Sequence, residues 1–145
     1  MATQVDFYVL EQTGVESRWG FCARLLNKVI GQRQRATVLV DNESTARELD
    51  DFLWASPPES FLPHLIALPE QATTDQIAIV FGNVAPADRV CINLSADVPD
   101  NHANLDRLIE VVSQDPDVLS TTREKYRFYR QLGYPLQSHP IKAGA

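Results

Sequence analysis

Apolar residues fall in two rhythms along this chain, and the alternation between them sets the expected fold. Residues 4–10 (QVDFYVL) form a short β-branched and aromatic run, which predicts a first strand. Across residues 16–30, Phe21, Leu25 and Val29 recur every fourth position, with Cys22, Leu26 and Ile30 beside them. That is the apolar stripe of a helix, and Gly31 supplies a stop. Residues 36–40 (ATVLV) are apolar throughout, as in a strand covered on both faces. Asp41 or Asn42 can cap the next helix, and Glu43 suits its positive end. Ala46, Leu49 and Leu53 carry that helix to about Trp54. The proline-rich stretch 56–63 (SPPESFLP) cannot be helical throughout. His64 then opens a short strand over 64–68, and residues 70–75 are a polar connector. Residues 77–81 (IAIVF) and 89–94 (RVCINL) read as two more strands. Leu105, Leu108, Ile109 and Val112 predict a helix over 104–112, and Pro116 starts a last helix that ends before Gly133.

Helices alternating with apolar strands in the first half imply parallel βαβ units. The strands between residues 65 and 94 extend the same sheet. The expected fold is therefore a three-layer α/β/α sandwich with a mostly parallel sheet. No repeat, low-complexity tract or long linker divides the chain, so residues 1–145 read as a single domain.

Charge and cysteines narrow the picture. Cys22 and Cys91 each sit inside an apolar run, with neither a metal-ligand spacing nor a disulfide framework around them. They read as small buried hydrophobes in a reducing compartment. No 18-residue apolar run occurs, and the N-terminus lacks the basic start of a secretory signal, so the expected address is the cytoplasm without membrane attachment. The net charge of −6 is unevenly spread. Residues 118–145 hold five basic side chains against one acidic, a net +4, so the rest of the chain carries −10. Such a body repels nucleic acid, whereas the basic segment attracts an acidic partner locally.

Familiar catalytic signatures are missing. The turn after the first strand, residues 11–20 (EQTGVESRWG), lacks both G-x-G-x-x-G and the P-loop pattern. No H-E-x-x-H, C-x-x-C or G-x-S-x-G occurs. His64, His102 and His139 are scattered and read as a strand start, a helix-entry turn and a solvated tail. Neither a cofactor nor a metal is expected.

Two constellations carry information. In the first, Trp54 and Phe61 flank a stiff turn that includes Pro57 and Pro58. Prolines lower the entropy lost on ordering a loop, and rigid aromatics make interface anchors. The same rings could instead plug the edge of the core. In the second, Arg123, Arg127 and Arg130 share one face of the last helix, with Tyr126 and Tyr129 next to them and Leu119 and Thr122 extending the stripe. Guanidinium beside aromatic ring suits a peptide ending in an apolar residue and a free carboxylate. Interleaved bases and rings also suit single-stranded nucleic acid. A solvated amphipathic helix, with Tyr126 and Phe128 partly in the core, would show the same pattern.

Both constellations, in this order, resemble the chi subunit family of bacterial DNA polymerase III. The residues that carry the resemblance are Phe7-Tyr8, Leu53-Trp54-Ala55, Pro58-Glu59-Ser60-Phe61, Pro63-His64, Arg123-Glu124, Tyr126, Tyr129-Arg130 and Gly133. The resemblance implies a nucleotide-binding-like α/β fold without a phosphate loop and without catalysis. It implies two partners. Trp54, Pro58 and Phe61 match the loop facing psi, the subunit that joins chi to the clamp loader; a helicase is a possible alternative at that loop. Arg123 and Tyr126 match the helix that binds the acidic C-terminal tail of single-stranded-DNA-binding protein, with Arg127, Arg130 and Leu119 beside them. Some relatives carry a lysine where Leu119 aligns, and Lys125 or Arg127 would have to supply its charge here. Two other readings compete: an α/β enzyme using an unrecognised nucleotide, and a direct single-strand binder.

Overall fold

A computed structural model describes residues 3–32, 34–54, 64–67, 77–81, 90–100 and 102–142. In chain order the elements are β1 (Gln4–Leu10), α1 (Val15–Gly31), β2 (Ala36–Val40), α2 (Glu43–Trp54), β3 (His64–Ala67), β4 (Ile77–Phe81), β5 (Val90–Asn93), a 3-10 turn (His102–Asn104), β6 (Arg107–Val112), α3 (Pro116–Gln131) and β7 (Leu136–Ile141). The strands form one sheet in the order β3-β4-β2-β5-β6-β1-β7, and all six pairings are parallel.

Period-two alternation sends successive side chains to opposite faces of this sheet. On one face Val38, Val40, Ile77, Ile79, Ile92, Ile109 and Val111 pack with Leu26 of α1 and Leu49 of α2. On the other, Val5, Phe7, Leu39, Val80, Leu108 and Val112 pack with Tyr129 of α3. The three expected layers are thus present, with α1 and α2 opposite α3. Cys22 lies in the first core and Cys91 in the second, both free and fully buried. Burial pushes the Cys22 thiol up to about 12, despite Arg18 nearby, and pushes Cys91 higher still.

Local chemistry sets the helix ends. The Asn42 carboxamide oxygen accepts the Thr45 N–H at 2.9 Å, capping α2 as its sequence suggested. At the end of α3, Gly133 takes φ +78°, its N–H bonds Arg130 O, and the Tyr134 N–H bonds Tyr129 O. This left-handed cap is the stop foreseen at Gly133.

Two expectations fail. Residues 104–112 are not a helix: only a short 3-10 turn precedes β6. The apolar positions of Leu108, Ile109 and Val112 fit either period, and a strand covered on both faces loses its alternation. Residues 136–141 are β7, the sheet's edge, rather than a solvated tail. Only Leu136 and Ile141 are strongly apolar there, and Pro140 argues against a strand except at an edge. His139 is half-buried, stacks on Tyr8 at 4.8 Å and approaches Asp6 at 3.1 Å. Asp6 also receives Arg107 at 2.9 Å, so one buried carboxylate ties β7, β1 and β6 together. Burial raises its pKa, but the bonds from His139 and Arg107 outweigh that and hold it below the usual carboxylate value.

Candidate functional site

Helix α3 presents two chemically different faces. Lys125 and Tyr129, four residues apart, point into the sheet and are buried. Beneath them stands Glu110 of β6, 3 % exposed. Lys125 Nζ donates to Glu110 Oε1 at 3.0 Å and to Ser95 O at 2.6 Å. The Tyr129 hydroxyl donates to Glu110 Oε2 at 2.7 Å, and Asn93 Nδ2 donates to the same oxygen at 3.0 Å. Burial and the neighbouring carboxylate drive the Tyr129 hydroxyl far above its ordinary pKa, so it stays a donor. The network fixes both the rotation of α3 and its position along β6.

With that face locked, the next stripe around the helix turns outward. Leu119, Arg123, Tyr126 and Arg130 recur at i, i+4, i+7 and i+11, and Arg127 follows Arg123 by one turn. All five line one groove of about 420 Å³, floored by Phe7 and Val9 of β1 and Val112 of β6 and bordered by Ser138 of β7. The Tyr126 ring leans on Phe7 with centroids 5.5 Å apart and stays 38 % exposed. Among the described residues, Arg123, Arg127 and Arg130 have no acidic partner. Like charges one turn apart cost the isolated helix about 0.2–0.5 kcal/mol. An apolar trough with unneutralised guanidinium groups on its rim is chemically matched to an anion that carries a hydrophobe.

The expected site residues are therefore partly assembled. The stripe Leu119, Arg123, Tyr126, Arg127 and Arg130 comes together as foreseen. Tyr129, expected beside it, is core. Lys125, expected as a possible source of charge beside Leu119, does not reach the groove, because its ammonium is buried against Glu110; Arg127 remains on the groove. Phe128 meets His102 edge-on and is half-exposed on the other flank. Trp54 ends α2, on the sheet face opposite α3, while Pro58 and Phe61 lie outside the described residues. Sequence reasoning missed the groove's floor. Phe7 and Val9 alternate on β1, but their position under α3 is set by strand order, which no local pattern reveals.

A second cavity, about 300 Å³, lies beyond the carboxyl ends of β5 and β6, where open α/β sheets commonly bind ligands. Here its groups serve the chain itself. Arg18 Nε donates to Val111 O at 3.1 Å and its Nη2 to Leu94 O at 3.2 Å. Asp41 accepts the Ala96 N–H at 2.8 Å. At the start of α1 the Gly14 N–H, at φ +92°, donates to Asp115 Oδ2 at 2.8 Å. A phosphate at that helix terminus would have to displace this carboxylate. Bonds from Ser113 and Gly14 hold Asp115 below the usual carboxylate range. Among the described residues no group of three His, Cys, Asp or Glu is placed to hold a metal, and no helix is long and apolar enough to cross a membrane.

These features define a parallel α/β protein whose cavity beyond the strand ends is engaged by its own side chains and whose exposed chemistry is a basic, apolar-floored groove. The family model described as "DNA polymerase III chi subunit, HolC" matches residues 2–137. DNA polymerase III subunit chi of Pseudomonas aeruginosa is 34% identical over 140 residues, covering 96% of this chain and 97% of that protein. The subunits chi of Escherichia coli and Haemophilus influenzae are 24% and 22% identical, over 91% and 97% of this chain and 94% and 99% of those proteins. The chain belongs to the DNA polymerase III chi subunit family, accessory subunits of the replicative polymerase.

The buried network generates a stability prediction. Removing one member of a buried ion pair costs about 3–5 kcal/mol, because a charge is left unpaired. Lys125→Met should lower the unfolding free energy by about that amount in urea titration. Adding Glu110→Gln, which removes the orphaned charge, should restore at least about 1 kcal/mol of it.

Proposed function

We propose that the chain is a non-catalytic adaptor that links the clamp loader, through psi, to the C-terminal tail of single-stranded-DNA-binding protein in the cytoplasm. The observation that carries this reading is the groove of Leu119, Arg123, Tyr126, Arg127 and Arg130 over Phe7 and Val9. An acidic peptide ending in proline and phenylalanine suits it: the terminal carboxylate takes the planar fork of Arg123, which a lysine cannot copy. The terminal ring lies between Tyr126 and Leu119, and upstream aspartates meet Arg127 and Arg130. Trp54, Pro58 and Phe61 form the psi-binding loop, or that of a helicase in its place. Helix α2, which Trp54 ends, packs on the sheet face opposite α3, so both partners can be held at once. The adaptor needs no cofactor or metal, and its net charge of −6 disfavours strong direct nucleic-acid binding. Against a nucleotide-using enzyme stands Asp115, which occupies the Gly14 N–H at the start of α1.

Calorimetric titration of tail peptides tests the groove. Arg123→Ala should weaken the full tail at least about tenfold, the scale of one charge-assisted hydrogen bond. Salt should erode the aspartate contribution, screened over ~8 Å at physiological ionic strength. Deleting the terminal phenylalanine should remove the apolar part of the binding at any salt. Equal affinity of wild type and Arg123→Ala for the full tail would place the site elsewhere.

Phe61→Ala should weaken binding of psi by about 2 kcal/mol or more while leaving the thermal midpoint near that of wild type. Loss of the fold would instead make Phe61 part of the core.

A further inference from the structure

The groove opens onto the free edge of the sheet. Strand β7 ends the strand order, and among the described residues none pairs on its outer side. The register shows which of its backbone groups face outward. Val5 pairs with Leu136, and the Val5 N–H bonds Pro135 O at 3.0 Å. In a parallel ladder the groups flanking the paired residue then turn toward β1, so those of Gln137, His139 and Ile141 are engaged. The N–H and C=O of Leu136 and Ser138, with the C=O of Pro140, point away. Pro140 confirms the phase, since a proline nitrogen has no proton to lose on the outer side. Lone edges of this kind pair readily with an extended chain.

We infer that the outer edge of β7 takes the upstream residues of the groove's acidic peptide as an eighth strand. This rests on the proposed reading of the groove as a peptide site. Ser138 is the point of continuity: it is exposed, its side chain borders the groove, and its N–H faces the open edge. A peptide whose end sits under Tyr126 and leaves past Ser138 runs beside two unpaired donors. The occupant is a single extended acidic segment, because the stripe beside that exit is Arg123, Arg127 and Arg130, which have no acidic partner among the described residues. Main-chain bonds to an edge add affinity with little demand on sequence, so the terminal residue sets specificity and the upstream segment adds strength.

Two synthetic peptides with free carboxylates test this: an acidic one of about nine residues ending in Pro-Phe, and its last three residues alone. Each is titrated into wild type, Ser138→Pro, Ser138→Ala and Arg123→Ala. Ser138→Pro removes an outward N–H that β1 does not use, so the fold should persist and the long peptide should weaken roughly tenfold toward the short one. Ser138→Ala keeps the N–H and loses only a side chain at the groove's border, so it should weaken the long peptide far less than Ser138→Pro does. Arg123→Ala should weaken both peptides. In wild type, the amide protons of Leu136 and Ser138 should exchange fast when free and slow only with the long peptide, a readout that survives even if Ser138→Pro misfolds. If Ser138→Pro leaves the long peptide unchanged, or these amides stay unprotected, edge pairing is overturned while loss in Arg123→Ala still upholds the groove. If Ser138→Ala weakens it as much as Ser138→Pro, the side chain and not the edge is responsible, which also overturns the inference. If Arg123→Ala binds both normally, the groove reading itself falls.

Discussion

A single buried carboxylate organises the working half of this molecule. Glu110 enters the core on β6 and is answered by Lys125 and Tyr129 from α3 and by Asn93 from β5. Buried ion pairs contribute little net stability over well-packed apolar residues, because desolvation consumes the attraction. Geometry is what this one supplies. A helix packed by greasy contacts alone can slide or rotate at small cost, whereas two directed bonds to the two oxygens of one carboxylate fix both motions. With Lys125 and Tyr129 turned inward, Arg123, Tyr126 and Arg130 must turn toward the sheet's open side. The arrangement of the groove is thus a consequence of chemistry one helical face away.

Open α/β sheets commonly bind ligands beyond the carboxyl ends of their strands. The cavity past the strand ends exists, yet its Arg18 guanidinium and the Asp41 and Glu110 carboxylates are bonded to their own chain, as is the Gly14 N–H at the start of α1. A nucleotide would have to break those bonds before making new ones. Around α3 the balance is reversed. Three arginines stand without acidic partners among the described residues, over aromatic and aliphatic residues that water covers poorly. Unspent charge beside unspent apolar surface is where binding free energy is available.

Much of this was legible beforehand, for identifiable reasons. Strongly periodic segments such as Phe21–Val29 and continuous runs such as Ala36–Val40 specify element type locally, and the basic stripe of α3 lies within one such element. What failed needed tertiary information. RLIEVV holds apolar residues at both helical and strand spacings, so its pattern alone does not distinguish β6 from a helix. Its lone Glu110 was the available signal: an acid inside an apolar run must find a buried cation. Lys125 looked like one more member of a basic surface because nothing local pairs it with a residue fifteen positions earlier. LQSHPI is too polar to announce a strand, and only its docking on β1 through His139 and Asp6 makes it one. Without β7 and the strand order, neither the floor nor the border of the groove could be drawn.

The central claim is that a locked α3 presents one groove to an acidic peptide end. Mapping backbone amide chemical shifts during titration with such a peptide tests it most directly. The account predicts that the perturbed residues cluster on Phe7, Val9, Leu119, Arg123, Tyr126, Arg127, Arg130 and Ser138, with Arg18 and Ser95 of the second cavity unmoved. Perturbations centred on Arg18, Asp41 and Ser95, or scattered evenly over basic residues, would contradict it.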